Sequence, residues 1–95
     1  MDKLNTEQNA EISPGQFEIK LLIESGDRYL DTKDFYTAID CYTAAIELAP
    51  ANAILYHKRG WAKAYTGDIK GELEDWNMAI EADPLFAQAK NAAPS

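Results

Sequence analysis

The side chains in this sequence that could perform chemistry are few, and they do not form a known catalytic grouping. His57 is the only histidine and Cys41 the only cysteine, which excludes an intrachain disulfide and a zinc site built from several histidines and cysteines. The serines, Ser13, Ser25 and Ser95, lie outside any nucleophile-elbow or triad-like pattern. We therefore expect no enzyme activity and no bound metal ion.

Patterns for calcium and phosphate binding are also incomplete. Asp31, Asp34 and Asp40 lack the spacing and the glycine of a calcium loop. Gly67 and Gly71 are not followed by the Gly-Lys-Ser/Thr ending of a phosphate loop. The sequence predicts no catalytic residue, no metal ligand and no cofactor.

Cys41 lies beside the apolar stripe of a predicted helix, so its spacing favours a small, unreactive packing residue. The alternative is a disulfide between two chains, which requires that Cys41 be exposed.

The composition is that of one small globular domain with an acidic surface. The chain has 95 residues, of which 46% are hydrophobic and 26% charged. Its net charge of −7 disfavours binding to nucleic acid and to anionic membranes. A secretory signal would show a basic segment followed by an apolar stretch, and the sequence shows no such pattern. We therefore expect a cytoplasmic protein that does not insert into membranes.

Residues 1–16 differ from the rest of the chain and are predicted to be a flexible polar leader. They show no apolar periodicity, and Ser13-Pro14-Gly15 is a turn signal. We therefore predict that the first helix begins at Phe17.

From residue 17 onward the chain repeats itself with a period of 34 residues. The matched pairs include Gly26 and Gly60, Asp34 and Asp68, Tyr42 and Trp76, Ala45 and Ala79, and Pro50 and Pro84. A repeat of this length indicates stacked supersecondary units.

Each repeat has the spacing of two helices joined by a short turn. The predicted helices cover about residues 17–31, 35–49, 53–66, 69–82 and 85–92. Asp34 and Asp68 are expected to cap the second helix of each pair, and Pro50 and Pro84 to end it. The sequence predicts an all-α fold of two antiparallel αα-hairpins with a short C-terminal capping helix.

Apolar stripes on the second helices predict the core between the helices. The first stripe contains Phe35, Ala38, Ile39, Tyr42, Ala45 and Ile46, and the second Leu73, Trp76, Ala79 and Ile80. Gly26 and Gly60 lie in helix interiors, where glycine is unfavourable, so we expect close helix contact there through Ala38, Ala45 and Ala79.

These residues resemble the tetratricopeptide repeat. The matches are Leu22, Gly26, Tyr29, Ala38, Tyr42, Ala45 and Pro50 in the first unit, and Tyr56, Gly60, Trp76, Ala79 and Pro84 in the second. The resemblance covers about residues 17–86 and implies a right-handed superhelical stack. We assign repeat 1 to residues 17–52, repeat 2 to 53–86, and a short capping helix and tail to 87–95. Arg59-Gly60-Trp61-Ala62-Lys63 resembles a variant of bacterial repeat arrays.

The second repeat departs from the family pattern at Lys63 and Glu72, which stand where tyrosine and alanine are usual. One hypothesis is that Glu72 pairs with Lys63 or Arg59 across the hairpin. The alternative is that Glu72 turns to solvent and the helices separate slightly, since exposed ion pairs contribute little.

The resemblance implies a non-catalytic protein–protein interaction module that binds a protein or peptide on its concave face, as an adaptor or assembly factor. The predicted partner-binding residues on the first helix of each hairpin are Lys20, Ile23, Asp27, Ile54, His57, Trp61 and Tyr65. Under a competing interpretation, Trp61 is covered by the C-terminal helix through Phe86 and Ala89.

Two further binding modes follow from the family. The carboxylate clamp of chaperone-binding members is disfavoured, because Ile23 and Asp27 stand where lysine and asparagine would be needed. Two repeats are few for a stable stack, so a homodimer that forms through the same face, or through the exposed edge of a hairpin, is the main alternative to an external partner.

Overall fold

Four α-helices account for most of residues 14–86, which are the residues that the computed structural model describes. They are α1 (Pro14–Asp31), α2 (Phe35–Leu48), α3 (Ala53–Tyr65) and α4 (Ile69–Ala82). Each helix packs against the next: α1 against α2, α2 against α3, and α3 against α4. This confirms the predicted all-α fold, while the right-handed stacking stays a prediction from the resemblance.

The residues predicted to begin the helices are confirmed as caps. The Asp34 carboxylate accepts a hydrogen bond from the backbone N–H of Thr37, and the Asp68 carboxylate accepts one from Gly71 at 2.9 Å. Asn52, which we did not predict as a cap, accepts from the N–H of Ile54 at the start of α3.

The first helix begins earlier than predicted, at Pro14 instead of Phe17. Proline is tolerated in the first turn of a helix, because its fixed φ suits the helix and its missing N–H would have no partner there. Residues 1–13, which make up most of the predicted leader, lie outside the described residues. Of the predicted fifth helix, Leu85 and Phe86 are helical and the rest lies outside the described residues.

The turns within the two hairpins have the same unusual backbone. Lys33 has φ +68° and Gly67, which follows it by one repeat period, has φ +88°. This left-handed conformation is costly for residues with a side chain and is available to glycine without strain.

The core contains much of the first predicted stripe and less of the second. Ala38, Tyr42, Ala45 and Ile46 of α2 are buried. Leu73 of α4 is 54% exposed, so its assignment to the core was wrong. The reason is that α4 is the last of the four helices and packs mainly on α3, so its other side has no neighbouring helix within residues 14–86.

Gly26 and Gly60 allow close approach between the helices of each hairpin, as predicted, but to aromatic rings instead of alanines. A Cβ atom on Gly26 would lie 2.6 Å from Cε1 of Tyr42, and one on Gly60 would lie 2.8 Å from Cδ1 of Trp76. Tyr42 and Trp76 are themselves one repeat period apart, so the same packing occurs in both hairpins.

Candidate functional site

Three large apolar side chains stand exposed on one side of α3. Ile54, Trp61 and Tyr65 are 51%, 46% and 56% exposed, and their spacing places them along one face of the helix. His57 lies between them and is half-buried. We call these four residues the α3 face.

The His57 ring lies against three other aromatic rings. Ring centroids are 5.7 Å apart for Trp61, 5.0 Å for Trp76 and 5.6 Å for Phe86. Burial lowers the pKa of His57, and the charge of Lys58 lowers it further, so the imidazole is neutral at pH 7. The ring distance of 5.6 Å shows that Phe86 packs on His57. Trp61 nevertheless remains 46% exposed. Ala89, the other residue expected to cover Trp61, lies outside the described residues.

Tyr65 is held in place by a stacked partner and separates two depressions in the surface. Its ring lies parallel to that of Phe35 at 4.7 Å, with 7° between the planes. On one side is a depression of about 350 Å³ lined by Trp61, Ala64, Tyr65, Glu72 and Trp76, which we call the α3–α4 pocket. On the other side is a depression of about 270 Å³ lined by Leu30, Asp31, Lys33, Phe35 and Tyr65.

Three residues of the α3–α4 pocket, Ala64, Glu72 and Trp76, were not among the predicted partner-binding residues. Trp76 was assigned to the core stripe, and it is half-buried with its ring near His57. Glu72 was noted only as a departure from the family pattern. Its unusual carboxylate was the one signal in the sequence that could have pointed to this pocket.

The predicted residues of α1 contribute less to an open surface than those of α3. Lys20 is exposed, but Ile23 is partly buried against the core. Asp27 accepts hydrogen bonds from the Tyr42 hydroxyl at 2.5 Å and from the Lys58 ammonium at 3.1 Å. Asp27 thus already has two partners within the fold, and through them it links α1 to α2 and α3.

The Tyr42 hydroxyl remains protonated in this arrangement. Burial and the hydrogen bond to Asp27 both raise the pKa of Tyr42 far above its usual value. The phenol therefore acts as a permanent donor to Asp27.

The cations of α3 pair with Asp75 of α4, so the hypothesis that Glu72 is their partner was wrong. Arg59 donates to both carboxylate oxygens of Asp75, at 2.8 Å from Nε and 2.7 Å from Nη2, and Lys63 lies 3.2 Å from Oδ2. Asp75 is 2% exposed, and the hydrogen bond with it raises the pKa of Arg59. Arg59 also donates to the Thr43 hydroxyl at 3.2 Å, which connects α2 to this ion-pair group.

Cys41 has the environment of an unreactive thiol. Burial raises its pKa, and the nearby carboxylates of Asp40 and Asp34 raise it further, so the thiolate is scarce at neutral pH. Cys41 is partly buried.

Within residues 14–86, no group of three or more histidine, cysteine, aspartate or glutamate side chains is arranged to hold a metal ion. None of the helices in the described part of the chain is long and apolar enough to cross a membrane.

Comparison with known proteins leads to the family that the residues resemble. Tetratricopeptide repeat protein 36 of Xenopus tropicalis is 36% identical over 94% of this chain and 46% of its own length. The chain is similar to tetratricopeptide repeat proteins. A heat-shock protein cognate (HSC) co-chaperone of Aspergillus fumigatus is 34% identical over 72% of this chain and 20% of its own. Small glutamine-rich tetratricopeptide repeat-containing protein 2 of Saccharomyces cerevisiae is 31% identical over 84% of this chain and 22% of its own length.

These similarities cover only part of each relative. The chain spans less than half the length of these curated relatives. No protein-family model matches it. The relatives are eukaryotic, so they give no support to the interpretation of the segment from Arg59 to Lys63 as a bacterial variant. Their names indicate two repeat proteins and one co-chaperone, and none names a catalytic family.

Proposed function

We propose that this chain is a non-catalytic tetratricopeptide-type interaction module that binds a partner protein or peptide on the α3 face. The observation that carries the proposal is the exposure of Ile54, Trp61 and Tyr65 on one side of one helix. Contiguous exposed apolar side chains commonly mark protein-binding sites, and aromatic residues contribute most to the binding energy there.

The relatives support the same general role. One is named a co-chaperone, which acts together with another protein, and others are named for their repeats. We propose the role of adaptor or assembly factor in a cytoplasmic, reducing setting, where a single protonated thiol such as Cys41 would remain free. Lys20 of α1 is exposed and would add polar selectivity at the edge of this surface.

Self-assembly is the second candidate function, and a separate observation favours it. Ile69 and Leu73, one turn apart on the same face of α4, are 55% and 54% exposed. A helix of a second copy packed there would bury apolar surface that residues 14–86 leave uncovered, in a symmetric dimer.

A pair of variants tests which surface is used. Trp61→Ala removes an exposed ring from the α3 face, and Tyr36→Ala removes one that is 71% exposed on α2. Each tagged variant and the parent protein would be used to capture proteins from a lysate of the source cells, after circular dichroism shows that helix content is unchanged. We expect a protein that is retained by the parent and by Tyr36→Ala and lost by Trp61→Ala.

The opposite pattern, with loss only in Tyr36→Ala, would contradict the assignment of the α3 face. Light scattering over a range of concentrations separates the two candidate functions. A monomeric mass supports an external partner, whereas a stable dimer whose mass is halved by a charge at Leu73, as in Leu73→Glu, supports self-assembly.

A further inference from the structure

The α3–α4 pocket combines aromatic rings with a carboxylate. Its lining residues are Trp61, Ala64, Tyr65, Glu72 and Trp76, around a volume of about 350 Å³. From this composition we infer that the pocket binds the guanidinium group of an arginine side chain on the partner protein. The inference rests on the proposed function and names the chemistry that the partner must present.

The rings provide the first part of the recognition. The face of an aromatic ring carries partial negative charge and attracts cations, most strongly in tryptophan. Trp61 and Trp76 both lie against the half-buried His57 ring, which holds them from one side. Tyr65 is fixed by its stacking on Phe35. The rings are therefore largely in position before a ligand arrives.

Glu72 provides the second part, because its negative charge is not balanced within the described residues. The cations nearest along α3, Arg59 and Lys63, both pair with Asp75. Among residues 14–86, no lysine or arginine forms an ion pair with Glu72. An apolar ligand in the pocket would remove water from this carboxylate and offer no partner in return, which costs free energy.

Arg59, Lys63 and Asp75 together carry one excess positive charge at the α3–α4 contact. The remaining charged groups around the pocket do not oppose a cation. His57 is neutral at pH 7, because burial and Lys58 lower its pKa. In the adjoining depression beyond Tyr65, Asp31 and Lys33 carry opposite charges. The net charge of −7 on the whole chain attracts a basic partner over a longer range.

Arginine fits this lining better than lysine does. A guanidinium group is planar and weakly hydrated, so it stacks on aromatic rings at little cost in lost hydration. It can also donate two parallel hydrogen bonds to one carboxylate. The lysine ammonium group is more strongly hydrated and lacks this geometry.

The test uses the full chain and the fact that its tryptophans, Trp61 and Trp76, are both in the pocket. Their indole N–H signals in a nitrogen–proton correlation spectrum therefore report on pocket occupancy. The probes are capped pentapeptides with the sequence Gly-Ala-X-Ala-Gly, in which X is arginine or its uncharged isostere citrulline. We expect the arginine peptide to shift both indole signals and to bind about tenfold more tightly than the citrulline peptide.

Two variants of α4 identify the carboxylate. Glu72→Gln keeps the size of the side chain and removes its charge, so the preference for arginine over citrulline should fall to about one. Glu74→Gln removes an exposed carboxylate from the same helix and should leave the preference unchanged. The indole signals of each free variant show whether the pocket itself is intact.

Several outcomes would overturn the inference. Equal binding of the arginine and citrulline peptides, or an unchanged preference in Glu72→Gln, would show that charge plays no part. If a peptide with lysine or trimethyllysine at X bound more tightly than the arginine peptide, that side chain and not arginine would be the occupant. Lys90 of this chain follows Phe86 by four residues. If the arginine peptide bound to Lys90→Gln but not to the parent protein, Lys90 would be the occupant that excludes the peptide.

Failure of this inference is distinguishable from failure of the proposed function. If Trp61→Ala loses a captured partner but arginine is not preferred over citrulline, the α3 face remains a binding surface with another chemistry. If no protein depends on Trp61, the proposed function fails regardless of the titration.

Discussion

At the scale of single residues, the contact between α3 and α4 depends most on the Asp75 carboxylate. It is 2% exposed and faces two cations, Arg59 and Lys63, whose side chains are 18% and 20% exposed. Removing one partner of a buried ion pair leaves the others without compensation for their lost hydration. Asp75 therefore holds together two positive charges that would otherwise repel each other.

Asp75→Asn should lower the free energy of unfolding by about 3 kcal/mol or more, because it leaves Arg59 and Lys63 partly buried without an anion. The measurement is urea unfolding followed by circular dichroism. The matched control is Glu72→Gln, which removes a carboxylate one turn earlier and should change the free energy by no more than about 0.5 kcal/mol. A loss in Glu72→Gln as large as that in Asp75→Asn would show that the two carboxylates share the role.

His57 should make stability depend on pH below neutrality. Its pKa is lowered in the folded protein from the usual 6.5, so the unfolded chain binds the proton first as the pH falls. Its contribution to stability is complete above pH 6.5 and decreases below that value. Lowering the pH from about 7.5 to about 5.5 should therefore destabilise the parent protein more than His57→Gln.

Urea unfolding of both proteins at the two pH values measures this difference directly. No second histidine is present to confuse the result. An equal loss of stability in the parent and in the variant would mean that His57 is as easily protonated in the folded protein as in the unfolded chain.

At the scale of elements, the two turns within hairpins offer an internal comparison. Lys33 and Gly67 have the same left-handed backbone, at φ +68° and +88°. Lys33→Gly should raise the free energy of unfolding by about 0.5 to 1 kcal/mol, and Gly67→Lys should lower it by about 1 kcal/mol, because only the glycine adopts this conformation without strain.

Thermal unfolding measures both changes. Lys20→Gly serves as the control, since the same substitution at an exposed position in the interior of α1 should destabilise the protein by about 1 kcal/mol. If Lys33→Gly destabilised the protein as Lys20→Gly does, the turn at Lys33 would not be strained.

The helices were predictable because the repeat presents each signal twice. Asp34 and Asp68 begin the second helices at equivalent positions, and the prolines at 50 and 84 follow their ends. The start of α1 was not predictable, because Pro14 is compatible both with a turn that precedes a helix and with the first turn of a helix.

The exposure of the candidate site was predictable in part. Periodicity placed Ile54, Trp61 and Tyr65 on one face of α3, where the structure shows them exposed. It could not decide whether Glu72 or Asp75 pairs with the cations of α3, since both carboxylates lie on the same helix within reach of the neighbouring one. That choice depends on the rotation of α4 against α3, which brings Asp75 to the contact and leaves Glu72 and Trp76 to line the pocket.

At the scale of the whole molecule, one core connects the two hairpins. The larger buried cluster contains Ala45 and Ile46 of α2, Leu55 and Tyr56 of α3, and Ala79 of α4. Polar contacts cross the same boundary, from Lys58 to Asp27 and from Arg59 to Thr43. Neither hairpin can therefore unfold without exposing apolar surface of the other.

The expected result is a single cooperative unfolding transition. Both tryptophans lie in the second hairpin, whereas circular dichroism reports on the helices of both hairpins. Urea unfolding should give the same midpoint by tryptophan fluorescence and by circular dichroism. Different midpoints would show that the hairpins unfold separately.

The central claim is that the α3 face contacts a partner protein, and site-specific photo-crosslinking in the source cells tests it most directly. A benzophenone amino acid would replace Ile54, which is 51% exposed on that face, or Tyr36, which is 71% exposed on α2. We predict a covalent adduct with another protein from position 54 and none from position 36. Adducts from position 36 alone would contradict the claim, and an adduct of two copies of this chain from position 54 would show self-assembly in its place.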